Sequence, residues 1–190
     1  MNENNNVLIL DFGDTGNEPE AIRQILEYFG YPVFKFNIGR PNDFIKILSG
    51  DAGEFFANYK YLVISCHGVG GKIAMPKLSE KVYLKGEPRN DFGASEIAKY
   101  LKIRDKIIIN TGCATDKLTS VFARNSNFYI ALSGYLNADI ALVFVANLFY
   151  FLKNHDLAEA VDLAKKIDKN FETFKKGGKH DQNQTNLLTS

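Results

Sequence analysis

A histidine and a cysteine stand at the ends of two short apolar runs. His67 follows the run YLVISC, and Cys113 lies just beyond the run KIIIN. A cysteine thiolate is a strong nucleophile, and a nearby imidazole takes the thiol proton, which is the basis of Cys/His acyl transfer. Gly68 follows His67 and lets the backbone turn, so its N–H and that of Cys113 are candidate donors to the oxyanion of a tetrahedral intermediate. These residue types indicate a nucleophilic site.

Alternating strands and helices must position these residues. Apolar runs predict strands at residues 7–12, 32–38, 61–66, 106–110 and 128–133. Helical spacing predicts helices at residues 18–29, 41–48, 94–101, 139–152 and 157–167. This alternation predicts an α/β fold, a three-layer α/β/α sandwich with a mainly parallel sheet, and residues 72–92 have the pattern of a hairpin excursion. If the strands that precede His67 and Cys113 are neighbours, their carboxyl ends lie about 5 Å apart at the edge where ligands collect.

Composition narrows the class of protein. The 190 residues suffice for a single domain, predicted to span residues 1–175 and to be followed by a mobile polar tail at 176–190. The formal net charge is +1 and no dense basic run occurs, which argues against a nucleic-acid partner. The apolar stretch at 138–152 is shorter than the roughly 20 residues that span a bilayer, so no membrane partner is expected. Two cysteines and a polar N-terminus without a signal-peptide pattern predict a reducing, cytoplasmic location.

The chain resembles the caspase-like cysteine peptidases of clan CD, and among them it is most similar to the bacterial CHAT and clostripain-type domains. The blocks YLVISCHG and KIIINTGC carry the resemblance, with His67 46 positions before Cys113, close to the spacing of about 50 in caspases. Residues 91–101 are similar to the helix that precedes the cysteine strand, and residues 128–167 are similar to the end of CHAT domains. The resemblance implies a caspase-like fold and a His67/Cys113 dyad that hydrolyses peptide bonds. The caspase signature Q-A-C-x-G is absent, since Cys113 lies in NTGCAT.

The resemblance also suggests where specificity resides. In the resembled family, the pocket for the side chain before the scissile bond draws on the loop after the first strand and the region after the fifth. This chain has Asp11 and Asp14 in the first region and Asp139 in the second. Carboxylates there imply a preference for Lys or Arg in a peptide or protein substrate. The competing interpretation is structural, with Asp14 in a turn and Asp139 in the first turn of a helix.

A class I glutamine amidotransferase is a second candidate. The opening LILDFGDTG and the strand and turn that lead to Cys113 resemble that family, in which a nucleophilic cysteine precedes its histidine. His155 or His180 would then be the partner, and His67 would have no role. Thr115 also stands where the second glycine of the elbow motif belongs.

A non-catalytic function is also compatible with the sequence. The chain could be a caspase-like scaffold that binds a partner, with a regulatory protein partner left open, or a flavodoxin-like module that uses GDTGN for a phosphate. GDTGN lacks the lysine and the spacing of a phosphate-binding loop, and a receiver domain would have Asp in place of His67. Cys66 is interpreted as a core residue. Cys66, His67 and Cys113 offer at most three metal ligands, so the sequence predicts no metal and requires no cofactor.

Overall fold

Five apolar runs form parallel strands, and a sixth strand joins them in the opposite direction. The computed structural model describes residues 5–135, 137–166 and 170–175. The strands are β1 (Val7–Asp11), β2 (Val33–Asn37), β3 (Tyr61–Ser65), β4 (Gly68–Val69), β5 (Lys72–Ile73), β6 (Ile107–Asn110), β7 (Phe128–Leu132) and β8 (Phe171–Lys175). The helices are α1 (Glu18–Tyr28), α2 (Pro41–Ser49), α3 (Glu54–Ala57), α4 (Ala94–Tyr100), α5 (Thr119–Asn125), α6 (Ala138–Phe151) and α7 (Leu157–Ala164), with a 3₁₀ turn at Thr115–Leu118.

The main sheet has the order β2-β1-β3-β6-β7-β8, and its first five strands are parallel. β3 lies beside β6, with Tyr61 opposite Ile107, so the two strands are the neighbours that a His67/Cys113 pair requires. β8 pairs antiparallel with β7. The carboxyl ends of the two strands that precede His67 and Cys113 therefore lie side by side at the same end of the sheet.

Side chains on the two faces of the sheet build two separate cores. Leu8, Leu10, Leu62 and Ile64 point to the face covered by α2, α4 and α5. Residues that alternate with them, such as Val7 and Val63, point to the face covered by α1, α6 and α7. This period of two produces three layers, and the predicted α/β/α sandwich with a mainly parallel sheet is confirmed.

The structure adds elements that the sequence pattern did not predict. These are α3, the 3₁₀ turn, α5 and β8. Helix α7 ends at Ala164, before the predicted end at residue 167, which lies outside the described residues. The predicted tail at 176–190 also lies outside them. Within the described ranges, no helix combines the length and the apolar composition that crossing a membrane requires.

Residues 74–91 form a strap that leaves the sheet and returns to it. The two-residue strands β4 and β5 pair as a hairpin that begins before the predicted excursion at 72–92, and Ile73 then bridges to Phe92. Glu87 fixes the middle of the strap, because its carboxylate accepts hydrogen bonds from Arg40 Nε (3.0 Å) and Nη2 (2.7 Å). Arg40 directly precedes α2, so the strap is attached next to the carboxyl end of β2.

Candidate active site

The loop that carries Cys113 is held in place by buried hydrogen bonds. Asn110, the last residue of β6, accepts a hydrogen bond from the Gly112 N–H (3.0 Å). The Thr115 hydroxyl donates to the Gly112 carbonyl (2.7 Å), and the Tyr129 hydroxyl donates to the Thr115 carbonyl (2.8 Å). Because both sides of the turn are bonded to buried groups, the position of Cys113 is defined by the core and not by solvent.

The residue after Cys113 has a backbone conformation that L-residues seldom adopt. Ala114 has φ 53° and ψ 28°, in the left-handed region. Its N–H donates to the Gly134 carbonyl (2.7 Å) in the loop after β7. Sparsely populated backbone conformations persist where the surroundings enforce them, often at functional sites. The chain thus bends sharply at Cys113 before the 3₁₀ turn.

Gly68 brings the backbone after His67 against the backbone of Cys113. A Cβ atom on Gly68 would lie 1.8 Å from the Cys113 carbonyl oxygen and 2.8 Å from its nitrogen. Only glycine allows this approach. His67 itself is exposed, and its carbonyl accepts a hydrogen bond from the Ala74 N–H (2.9 Å) at the base of the hairpin. The two backbone segments predicted to supply oxyanion donors are in direct contact.

His67 and Cys113 line one cavity of about 250 Å³. It lies at the carboxyl ends of β3, β6 and β7, between the first turns of α1 and α6. Its described lining consists of Asp14, Thr15, Glu18, Cys66, His67, Thr111, Cys113, Leu132, Asn137 and Ala141. The arrangement combines a half-buried thiol, an accessible imidazole and enclosed space for part of a ligand. A thiol, an imidazole and adjacent space are among the features that nucleophilic attack on a bound carbonyl group requires.

The three aspartates of the predicted specificity pocket occupy different surroundings. Asp14 lines the cavity. Asp11 is buried at the end of β1, where it accepts hydrogen bonds from Lys35 Nζ (2.9 Å) and the Gly13 N–H (2.8 Å). Asp139 is exposed in the first turn of α6 and accepts from the N–H of the following residue. Asp11 and Asp139 do not belong to the described lining of the cavity.

Glu18 is a site residue that the sequence interpretation missed. It is only 8% exposed, and its Oε1 accepts hydrogen bonds from Ser65 Oγ and Thr111 Oγ1, both at 2.7 Å. Burial raises the pKa of this carboxyl above its ordinary value, although the two hydroxyl donors oppose the shift. Glu18 thus ties together the ends of the strands that precede His67 and Cys113. A signal was present in the sequence, since period-two alternation places Ser65 and Thr111 on the α1 face.

Cys66 is part of the core. It is buried, and its thiol donates to Asn110 Oδ1 (3.5 Å). Burial raises the pKa of this thiol well above its ordinary value, so the neutral form predominates. This placement agrees with the prediction that Cys66 is structural and makes it a suitable control for Cys113. Among the described residues, no group of three or more His, Cys, Asp or Glu side chains is placed to hold a metal ion.

The histidine partner that a glutamine amidotransferase would need is not at the cavity. His155 lies beyond the carboxyl end of α6, where its Nδ1 pairs with Glu159 (2.9 Å). The cavity is at the opposite end of this 14-residue helix, about 20 Å away at 1.5 Å per residue. His155 therefore cannot act on Cys113, and His180 lies outside the described residues.

Comparisons with known proteins identify the fold. No known family model matches the chain, and no curated protein sequence matches it. Solved structures do match, among them the crystal structure of caspase-1 from Spodoptera frugiperda, with a TM-score of 0.54 and 11% sequence identity. The match covers 86% of this chain and 75% of the caspase chain. The chain has a caspase-like fold, as expected from the sequence.

Proposed function

We propose that this protein is a cysteine endopeptidase in which Cys113 is the nucleophile and His67 the general base. The observation that carries the proposal is that His67 and Cys113 line one cavity, with Gly68 packed against the Cys113 backbone. The caspase-like fold supports a peptidase of this class. Within it, we place the chain nearest the CHAT and clostripain-type domains and locate its activity in the cytoplasm, on peptide or protein substrates.

The reaction follows from the chemistry of a thiol next to an imidazole. His67 takes the proton of the Cys113 thiol, and the sulfur attacks the carbonyl carbon of the scissile bond. The N–H groups of Gly68 and Cys113 donate to the resulting oxyanion. When the C–N bond breaks, the imidazolium gives its proton to the leaving amine. A water molecule, deprotonated by His67, then hydrolyses the thioester and restores the thiol.

We further propose that the enzyme cleaves after Lys or Arg. Asp14 supports this preference, because it is an acidic residue that lines the same cavity as His67 and Cys113. Asp11 and Asp139 remain candidates that would act on the substrate from outside the described lining. No cofactor takes part in the proposed reaction, and a regulatory protein partner is left open.

The proposed dyad is tested by removing the Cys113 thiol or the His67 imidazole. The effect of each change on activity is compared with the effect of removing the Cys66 thiol. Wild type, Cys113→Ala, His67→Ala and Cys66→Ala are assayed on fluorogenic peptides that vary the residue before the cleaved bond. We expect Cys113→Ala and His67→Ala to lose at least about a thousandfold in kcat/KM. Cys66→Ala should lose far less, because its thiol is buried and neutral and does not serve as the nucleophile.

Two outcomes would contradict the proposal. One is hydrolysis that survives in Cys113→Ala. The other is a folded wild type that cleaves no peptide and whose Cys113 reacts with iodoacetamide no faster than Cys66, since an activated thiol reacts faster than a buried one. The second outcome would favour the binding scaffold.

A further inference from the structure

A second cavity lies at the opposite end of the sheet from Cys113. It has a volume of about 230 Å³ and lies between the last turn of α2, helix α3 and the loop that leads into β6. Its described lining consists of Ile47, Gly50, Gly53, Phe56, Ile103, Arg104 and Lys106. The whole length of β6 separates Lys106 from Cys113, so the proposed peptide hydrolysis does not use this cavity.

The charged side chains in the described lining of this cavity are both positive. Arg104 is exposed, and Lys106 is half-buried, with its ammonium held by the carbonyl of Tyr59, to which it donates a hydrogen bond. Asp105 lies between them in the sequence but does not belong to that lining, which contains no aspartate or glutamate. The local charge therefore favours an anionic ligand, and hydrogen bonds from these cations to a carboxylate are charge-assisted.

The other walls of the cavity are apolar. Ile47 is buried, Ile103 is half-buried, and the ring of Phe56 packs edge to face on Phe36 and Phe34, with centroids 5.1 and 6.2 Å apart. Apolar surface gains free energy when a ligand removes it from water. A fully polar anion would leave this surface wet, so the walls favour a ligand that also carries an apolar part.

The backbone around the cavity is fixed before any ligand arrives. The Leu48 carbonyl in the last turn of α2 accepts hydrogen bonds from the N–H groups of Lys102 (2.7 Å) and Ile103 (3.1 Å). Asp105, whose φ of 58° is in the left-handed region, donates its N–H to the Asn125 carbonyl (3.1 Å). These bonds hold the loop before β6 against α2 and α5, and a preorganised site loses less entropy on binding.

The size of the cavity restricts the ligand to a small molecule. Its volume is below the 300 to 1,000 Å³ of ordinary ligand pockets. Gly50 and Gly53 contribute to the open space, because a Cβ atom on either residue would have no other atom within 4 Å.

We propose that this cavity is a binding site for a small organic carboxylate with an apolar tail, such as a short-chain fatty acid anion. The carboxylate lies at Arg104 and Lys106, and the tail packs against Ile47, Phe56 and Ile103. A guanidinium can donate to both carboxylate oxygens in one plane, while an ammonium acts as a point charge. The site is separate from the peptidase function proposed above and does not depend on it.

The state of Lys106 agrees with this assignment. Burial lowers the pKa of its ammonium, although Asp105 opposes the shift. An anion that binds beside Lys106 favours the charged form and so offsets part of the cost of burial.

Ligands that separate charge from tail test the proposal. Hexanoate, acetate and hexylamine are titrated into the full chain while amide chemical shifts are followed by NMR. We expect hexanoate to shift Gly50, Gly53 and Lys106 saturably and to leave Gly68 and Cys113 unchanged. Acetate lacks the tail and hexylamine has the opposite charge, so each should bind at least about tenfold more weakly.

Matched variants test the two cations with the same hexanoate titration. We expect Lys106→Gln to weaken binding about tenfold, as for loss of a charge-assisted hydrogen bond, and Arg104→Gln about threefold, because Arg104 is exposed. Lys102→Gln is the control, since it removes the same charge from an exposed residue outside the described lining. The spectrum of each free variant shows whether it is folded, and Arg104→Gln changes only an exposed side chain.

Several results would overturn the proposal. Absence of saturable shifts at Gly50, Gly53 and Lys106 in wild type would show that the cavity does not bind the anion. Acetate or hexylamine that binds as tightly as hexanoate would show that the tail or the charge is not recognised. A decrease in Lys102→Gln equal to that in Arg104→Gln and Lys106→Gln would reduce the effect to general attraction between charges.

Discussion

At the scale of single residues, Gly68 has the least space for an added side chain among the described glycines. In Gly68→Ala, the added Cβ would lie 1.8 Å from the Cys113 carbonyl oxygen, so one of the two backbone segments must move. We expect the free energy of unfolding to fall by about 1–3 kcal/mol, as is typical of overpacking. We also expect the rate of peptide hydrolysis to decrease by more than this loss of stability explains. Urea unfolding and an activity assay measure both effects.

Gly39→Ala is the control for this substitution. Its added Cβ would meet Asp43 Oδ2 at 3.6 Å, an ordinary contact, so stability and activity should stay near those of wild type. If Gly68→Ala behaves like Gly39→Ala, the close approach of the two loops is not required for the site.

Glu18 makes stability depend on pH in a direction opposite to that of most carboxylates. Its pKa is raised in the folded protein, so the unfolded chain loses this proton first as pH rises. Folding is therefore penalised as pH increases above the ordinary carboxyl value of about 4.5. Glu18→Gln removes this penalty and keeps an acceptor for the two hydroxyls. We expect the Tm of Glu18→Gln minus the Tm of wild type to be larger at pH 8 than at pH 4.

Thermal unfolding of wild type, Glu18→Gln and Glu27→Gln at both pH values tests this expectation. Suppose that the difference in Tm between Glu18→Gln and wild type is the same at pH 4 and pH 8. Folding then does not raise the pKa of the Glu18 carboxyl. The Glu27→Gln curve shows what the same substitution does at an exposed position of α1.

Residues with a local signal in the sequence could be identified, and residues that depend on distant partners could not. His67, Gly68 and Cys113 could be identified because each follows an apolar run, and the strand ends fix where they lie. Glu18 could not be identified in this way. Its burial depends on hydroxyls 47 and 93 positions away, and a glutamate in the first turn of a helix is ordinarily solvated.

At the scale of elements, the strap depends on the pair between Arg40 and Glu87. The Glu87 side chain is fully buried and also accepts from the N–H groups of Asn42 and Leu84, both at 3.0 Å. The Arg40 guanidinium lowers the pKa of Glu87 to about 2. The stabilisation from this group is therefore present above the ordinary value of about 4.5 and is lost only as pH falls toward 2.

Glu87→Gln should loosen the strap while the sheet stays folded. We expect trypsin to cleave after the exposed Lys81 and Lys85 about tenfold faster than in wild type, since loss of a charge-assisted hydrogen bond raises the population of open strap by that order. Glu80→Gln is the control, because Glu80 pairs with Arg89 on the exposed surface. Equal cleavage of both variants would show that the buried pair does not hold the strap.

Elements with a strong period were predicted and those without one were not. The five parallel strands and α1 have continuous apolar runs or a clear stripe, and their predicted bounds agree with the structure within about two residues. The segment TDKLTSVFARN has no such stripe, and it becomes helical as it packs Val121 and Phe122 into the core. Tertiary contacts there decide a structure that local propensity leaves open.

At the scale of the whole molecule, β8 closes one side of the sheet and completes one core. Phe171 is fully buried and stacks on Phe144 of α6, with ring centroids 3.8 Å apart. We expect Phe171→Ala to reduce the free energy of unfolding by about 3–5 kcal/mol, the usual loss for a buried phenylalanine. Phe34→Ala on β2 is the control, since Phe34 is 36% exposed and should lose much less. Similar urea midpoints for the two variants would contradict this role for β8.

The sequence predicts the layered parallel sheet of this fold, but it does not predict the antiparallel strand β8 at the edge of that sheet. Alternating strand and helix patterns require a parallel sheet covered on both faces, and that is what the chain forms. The antiparallel β8 has no comparable signature. Its sequence, FETFK, is short, does not alternate regularly and precedes a polar segment, so only its pairing with β7 defines it as a strand.

The hydrogen bond between Glu18 and Thr111 limits how early during synthesis the candidate site can form. It joins residues 93 positions apart, and the cavity also needs Leu132 and Ala141 for its far wall. A chain on the ribosome emerges from its amino end, and parallel sheets with distant pairings assemble late. A nascent chain that ends before α6 carries Cys113 without the enclosure around it. The enclosed candidate site therefore forms only after α6 has left the ribosome.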